Sequence, residues 1–248
     1  MYKILSQYKL WNPWRGCFRI SEACQNCFIR QLDTFEDRYY PPQNLDVYIP
    51  GTIITVCLQS DFFLAEADKY RALVWNEIKT HPNLIFKIIT KRVERIAESL
   101  PEDWNSGYEN VIFCVTVENQ KRADERLPIF MQLPAKHKWI ACTPLLEKID
   151  ISKHLKSNEF EMVEVLGERS YHGSDARPLF HSWVLFLHDE CKKNNVGFAL
   201  LGVGGNYHID ARVLSDRCKC YSSQVADRLA VNYYRPITFT LKNSLFTI

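Results

Sequence analysis

Residues 84–117 read LIFKIITKRVERIAESLPEDWNSGYENVIFCVTV. Two apolar, β-branched runs, Leu84–Ile89 and Asn110–Val117, bracket a helix-like stretch over Val93–Leu100 that ends at Pro101. Strands that are apolar almost throughout, joined through a helix, predict parallel strands buried on both faces. The pattern continues outward in both directions. Upstream lie a strand over Thr52–Leu58 (TIITVCL) and a helix over Glu66–Thr80. Downstream come a helix over Gln120–Gln132, strands over Lys138–Cys142 and Glu161–Leu166, a helix over Pro178–Asn194 and a strand over Phe198–Gly202. Met1–Trp14 supplies the first strand, and Asp33–Gly51, rich in Tyr and Pro, reads as a long loop. Six or seven such units predict an α/β fold, an open or closed β/α barrel with right-handed crossovers. The alternative, a doubly wound sheet, would carry a Gly-rich turn after its first strand, and none follows here. The alternation is lost after about Asp216, which divides the chain into a barrel, 1–215, and a C-terminal extension, 216–248.

The chain has 248 residues, 46% apolar and 24% charged, with a formal net charge of +2. That balance suits a soluble globular protein with a sizeable core. It excludes bulk-charge attraction to nucleic acid and leaves a local basic groove open. Nine cysteines, an odd number, are scattered through the chain, and Met1–Leu10 does not read as a signal peptide. This usage argues for a reducing compartment and against a secreted disulfide framework. No apolar run approaches the ~18 residues of a membrane span. The expectation is a cytoplasmic protein of a bacterium or a bacterial virus, with no membrane partner.

Chemistry concentrates in one short loop. Cys17, Cys24 and Cys27 follow the spacing C-x6-C-x2-C, with no fourth cysteine close by. A structural zinc site wants four ligands in a closed tetrahedron. A catalytic [4Fe–4S] cluster can use three thiolates and leave one iron open to a cofactor or substrate. Zinc completed by a distant ligand is the competing reading. Active groups of a β/α barrel gather where strands end. Those ends carry Ser60 and Asp61, then Thr90, Lys91 and Arg92, then Glu118 and Asn119, then Thr143, then Gly167 and Glu168. Such a set suits a zwitterionic, methionine-type cofactor: Asp61, Glu118 or Glu168 accept from its ammonium, while Lys91 or Arg92 donate to its carboxylate. Cys57, Cys114 and Cys142 fall within strands and Cys191 on a helix, where packing explains them. Cys218 and Cys220 form at most a weak metal pair, and His172 is a weak candidate in the loop after Glu168. Trp11 and Trp14 pack the barrel or, if exposed, stack on a base.

Trp11-Asn12-Pro13-Trp14-Arg15-Gly16-Cys17, with Cys24 and Cys27, resembles the opening of the phage-associated three-cysteine-motif proteins. These form a former domain-of-unknown-function family remotely related to radical S-adenosylmethionine (SAM) enzymes. The resemblance extends through Ser60-Asp61-Phe62-Phe63, Thr90-Lys91-Arg92, Val117-Glu118-Asn119-Gln120, Pro144-Leu145-Leu146, Gly167-Glu168 and Ala176-Arg177-Pro178, covering roughly residues 10 to 200. It implies a partial (β/α)6-7 TIM-like barrel of radical SAM type, with a [4Fe–4S] cluster on Cys17, Cys24 and Cys27 and SAM at the open iron. The implied catalytic residues are Lys91, Glu118 and Glu168. The implied cofactor-binding residues are Phe28, Ser60, Asp61, Thr90, Arg92, Asn119 and Gly167.

Reductive cleavage of SAM would give a 5′-deoxyadenosyl radical. Phage relatives are associated with thymine hypermodification in viral DNA, so the resemblance implies an isomerase that rearranges an amino-acid-like group on thymidine. A lyase acting on DNA photoproducts and a non-catalytic, zinc-containing nucleic-acid module are the alternatives. Implied partners are DNA or a modified nucleotide and a reductant such as flavodoxin, in the host cytoplasm if the chain is phage-encoded. Asn26 stands where an adenine-flanking aromatic is usual, with Phe28 after the last cysteine instead. Thr143, Leu166 and the Leu201-Gly202-Val203-Gly204 run also depart from the family pattern, which implies a specialised substrate.

Overall fold

A computed structural model describes residues 9–29, 32–171, 175–215, 219–242 and 244–248, the side chains of 214, 215 and 219–223 excepted. Fourteen strands are present among them: β1 (Lys9–Trp11), β2 (Arg15–Cys17), β3 (Thr34–Glu36), β4 (Ile53–Val56), β5 (Ile85–Thr90), β6 (Val111–Thr116), β7 (His137–Cys142), β8 (Met162–Leu166), β9 (Leu179–Phe180), β10 (Gly197–Gly202), β11 (Asn206–Ile209), β12 (Arg212–Ser215), β13 (Thr238–Leu241) and β14 (Ser244–Thr247). The helices are α1 (Asp68–Thr80), α2 (Gln120–Gln132), α3 (Ser152–Leu155), α4 (His181–Lys193) and α5 (Lys219–Leu229).

Seven strands form one sheet in the order β1-β4-β5-β6-β7-β8-β10, and every neighbouring pair is parallel. The spatial order follows the chain without reversal, so the sheet winds in one direction and is not doubly wound. It curls into a half-barrel. Lys87 on β5 and Glu164 on β8 are separated by two intervening strands, yet their side chains form an ion pair. In a flat sheet those strands would lie roughly 14 Å apart, with side chains standing parallel and out of reach. Only a concave sheet points them at each other.

Alternation along the strands divides the core into two clusters. Ile54, Val56, Phe86, Ile88, Phe113, Val115, Ile140, Val163 and Val165 face outward, into a large cluster with Trp75 of α1, Leu127 and Phe130 of α2, and Val184 and Leu187 of α4. Ile53, Ile85, Ile112, Trp139, Met162 and Ala199, near the strand beginnings, face inward and meet Ile237, Phe239 and Leu241. The β13–β14 hairpin thus closes the base of the half-barrel. Tyr233 exchanges backbone hydrogen bonds with Phe198, which covers the free edge of β10. The predicted boundary at 216 and Cys218 lie outside the described residues.

The strands fall where the periodicity places them, and two helices are corrected. Val93–Leu100 forms two 3₁₀ turns, Val93–Arg95 and Ala97–Ser99, and no α-helix. Eight residues before a proline give too little propagation to offset nucleation. Arg95 is also drawn away, to the Phe63 carbonyl (2.9 Å) and to Asp68. The helix expected from Pro178 begins only at His181, because Leu179–Phe180 pairs with β11. The Asp33–Gly51 loop contains β3, which pairs antiparallel with β2. Among the described residues no helix is long and apolar enough to cross a membrane.

Candidate active site

Cys17 ends β2, and its position is fixed by the residues before it. Trp11 and Trp14 are buried; their indoles donate to the Tyr40 carbonyl (3.0 Å) and the Asp61 carbonyl (3.2 Å). They are therefore packing residues, not base platforms. Asn12 accepts from the Gln59 amide (2.8 Å), and the Arg15 guanidinium lies 4.6 Å from the Tyr40 ring. Gly16 has φ +89°, and a Cβ there would sit 2.3 Å from the Thr34 carbonyl oxygen. Glycine is required at that point for β3 to approach. Ser60 donates its hydroxyl to the Gly16 carbonyl. The loop that begins at Cys17 is thus tied to the mouth of the barrel from its first residue.

Further clamps hold the loop along its length. Arg122 of α2 makes a two-point ion pair with Glu22, at 3.0 and 3.1 Å. Asn119 caps α2 by accepting from the Arg122 amide (2.9 Å) and donates to Glu22 at 3.3 Å. Glu168 accepts from Asn26 Nδ2, from the Arg177 amide and from Arg177 Nε, each at 2.9 Å. The Arg177 guanidinium also donates to the Glu22 carbonyl (3.2 Å). Burial pushes the Glu168 carboxyl upward, but the Arg177 bonds outweigh it and hold the group below its usual range.

Asp61 is equally occupied. Its oxygens accept from Thr90 Oγ1 (2.7 Å), the Phe63 amide (3.0 Å), the Lys91 amide (3.0 Å) and Arg92 Nη1 (3.1 Å). Arg92 in turn donates to the Phe18 carbonyl (2.8 Å) and lies 3.7 Å from Cys17 Sγ. Glu118 is fully buried; one oxygen accepts from Arg126 Nη1 (2.7 Å) and the other has no partner. It lines neither of the two cavities at the mouth.

The smaller cavity, about 110 Å³, is the sulfur cup. Cys17, Cys24 and Cys27 all open on it, with Phe28, Ser60, Asp61, Thr90, Lys91 and Arg92. Cys57 opens on it too, although the sequence places it within a strand as packing; β4 ends one residue before it. Its φ of +62° turns the chain sharply there. Burial pushes the Cys17 thiol up to about 11, against the pull of Arg92. Burial would also raise Cys24, but the Lys91 charge and bonds from Ile20 and Ser21 leave it below its ordinary value. Among the described residues no three His, Cys, Asp or Glu side chains converge on the position of a single metal ion.

The larger cavity, about 460 Å³, is the hollow of the half-barrel. It shares Cys27, Phe28, Leu58, Ile89, Lys91 and Thr143 with the cup, so the two are continuous. Gly167 and Glu168 line its wall beside Asn26. A Cβ on Gly167 would meet the Val203 carbonyl oxygen at 2.2 Å, so this position serves the packing of two chain segments. Lys87 and Glu164 lie in the same wall. Sequence reasoning missed both, although a lysine in LIFKII and a glutamate in EMVEVL interrupt otherwise apolar strands. His172 lies outside the described residues, as does the side chain of Cys220.

A family model described as a protein of unknown function (DUF5131) matches residues 34–229. The chain belongs to that family. The matched span includes the clamps Asp61, Arg92, Arg122, Glu168 and Arg177 and the chamber pair Lys87 and Glu164, and it begins downstream of the three cysteines. No curated protein and no solved structure matches the chain.

Proposed function

We propose that this member of the family is a radical SAM iron–sulfur enzyme, an isomerase that rearranges an amino-acid-like group on thymidine in phage DNA. The observation that carries the reading is the opening of three loop thiols on one cup that runs directly into a substrate-sized chamber. The donor set suits a cluster better than a single ion. Sulfurs around one tetrahedral zinc would crowd within about 4 Å of each other, whereas a four-iron cluster spreads them over a larger body. Arg92 beside Cys17 and Lys91 beside Cys24 and Cys27 pull the thiols toward thiolate; the pull wins at Cys24, while burial keeps Cys17 and Cys27 above their ordinary value. Cys17, Cys24 and Cys27 would hold the cluster.

When bound, cluster and SAM together supply one-electron chemistry that removes a hydrogen atom from the substrate. The chain's own residues do the rest. The Asp61–Arg92 pair fixes the floor of the cup, and the Glu168–Asn26 and Glu22–Arg122 bonds keep the loop seated. The Lys91 ammonium has no hydrogen-bond or ion-pair partner among the described residues, and Lys91 faces both cavities, so it is the group to receive a carboxylate or phosphate. Phe28 and Tyr171, with ring centroids 6.1 Å apart, stand at the chamber wall as aromatic faces for a base. The apolar lining excludes water from the reacting carbon.

The test is anaerobic reconstitution followed by reduction in the presence of SAM. 5′-Deoxyadenosine should form, and its yield should rise with amino-acid-bearing thymidine but not with ultraviolet-irradiated DNA. Zinc-loaded, colourless protein that leaves SAM intact would overturn the reading. Stimulation by irradiated DNA alone would replace the isomerase with a photoproduct lyase.

A further inference from the structure

Lys87 and Glu164 are each 3% exposed, yet both line the chamber. The Lys87 ammonium bonds both oxygens of Glu164 and lies 5.0 Å from the centroid of the Trp139 ring. The inward faces around them are mostly apolar, with Thr55 of β4 the polar neighbour: Ile85 and Ile89 on β5, Ile112 on β6, Trp139 on β7 and Leu201 on β10. A buried ion pair costs desolvation that its attraction does not dependably return, and apolar residues of similar volume serve a core as well or better. Packing therefore does not call for charges at this place.

Ligand chemistry does. A bound anion would draw Lys87 away and leave Glu164 buried and unpaired. A bound cation would take Glu164 from Lys87 and remove the carboxylate that balances its charge. Each of those outcomes carries the penalty of an uncompensated buried charge. A ligand with both signs on neighbouring atoms avoids both penalties: its carboxylate meets Lys87 and its ammonium meets Glu164. The Trp139 face gives the Lys87 ammonium a favourable neighbour while it changes partners. We propose that the Lys87–Glu164 pair in the chamber wall is a docking site for the zwitterionic, α-amino-acid end of a ligand. Attachment of that group to thymidine rests on the proposed function; the zwitterion class rests on the pair itself.

Calorimetric titration of the full chain tests this with N-benzylglycine, an aromatic zwitterion, against benzylamine and phenylacetate, which carry one charge each. A second probe is thymidine with glycine joined through its amine to the methyl carbon, against thymidine. The unaltered chain should bind N-benzylglycine about tenfold or more tightly than either control. The Lys87→Met/Glu164→Leu double variant should lose that preference while its thermal midpoint stays or rises. A double variant that keeps the preference overturns the proposal, as does equal or undetectable binding of all three benzyl compounds. Failure of the double variant to fold marks the pair as structural and also overturns it. Displacement of N-benzylglycine by saturating SAM would assign the pair to the cofactor, with the same result. If N-benzylglycine is preferred and the thymidine probe is not, the nucleoside reading falls while the docking site stands. Absence of 5′-deoxyadenosine with the preference intact has the same meaning.

Discussion

The sulfur cup and the chamber beside it are built on opposite principles. Around the cup and the loop that carries its thiols nearly every charged group is already engaged: Asp61 by four donors, Glu22 by Arg122, and Glu168, which lies in the adjoining chamber wall, by Asn26 and Arg177. These residues hold a loop in place and offer little to a ligand. Where the cup opens into the chamber, the Lys91 ammonium has no hydrogen-bond or ion-pair partner among the described residues, and deeper in the chamber Lys87 and Glu164 form a pair that a core does not need. The lesson is that charge at a barrel mouth divides into groups that position and groups that bind, and the hydrogen-bond ledger tells them apart.

That division can be broken by mutation, and the largest effect belongs to the cup. Cys24→Ala should abolish iron uptake and SAM cleavage together, read by iron analysis and by 5′-deoxyadenosine yield. Full retention of cleavage would place the cluster elsewhere. Asp61→Ala comes next. It leaves the buried Arg92 guanidinium unpaired, at a cost of about 3–5 kcal/mol, so the urea midpoint should fall and the cup should lose iron. An unchanged midpoint would mean that Arg92 finds another partner and that Asp61 is free for ligand work.

Glu168→Gln sharpens the comparison at lower cost. It removes the charge that Arg177 grips while keeping an acceptor for Asn26, and should lower stability by about 1–3 kcal/mol. The same bond gives a pH signature. The folded-state pKa of Glu168 is depressed, so its contribution is fully present above the usual carboxylate value of about 4.5. It fades as pH falls below that value toward and through the depressed one. Stability lost by the parent chain over that acid range should be smaller in Glu168→Gln, as measured by urea unfolding at stepped pH.

Lys91→Met should leave stability within about 0.5 kcal/mol. It should weaken binding of a carboxylate or phosphate ligand about tenfold, the scale of one charge-assisted hydrogen bond at ~1.5 kcal/mol. Smallest of all is Cys57→Ser. Cys57 opens on the cup, but it follows β4, outside the loop that carries the other three thiols, and is almost wholly buried. Iron content and SAM cleavage should therefore stay at parent levels. A fall like that of Cys24→Ala would show four thiolates and a closed cluster.

The fold was largely legible because strands buried on both faces must be apolar almost throughout, and TIITVCL and NVIFCVTV carry that mark on their own. Val93–Leu100 misled because helical composition cannot show that Arg95 is claimed by Phe63 and Asp68 from another segment. The cup was legible through cysteine spacing within one loop. Which mouth residues clamp and which bind was not, since Glu168 meets Asn26 across 142 residues and Glu22 meets Arg122 across 100. Lys87 and Glu164 left a signal, a charge inside an apolar strand. Its meaning depends on a curl that brings β5 to face β8, which no local pattern states. Cys57 looked like strand packing because its sharp backbone turn is invisible in composition.

Mössbauer spectroscopy of chain reconstituted with ⁵⁷Fe, recorded before and after SAM is added, addresses the cup most directly. Three thiolates with one open corner predict about four iron atoms per chain, with the signal of a single iron shifting when SAM binds. A spectrum of about four irons that SAM leaves untouched, or a chain that takes up zinc and no iron, would contradict the account.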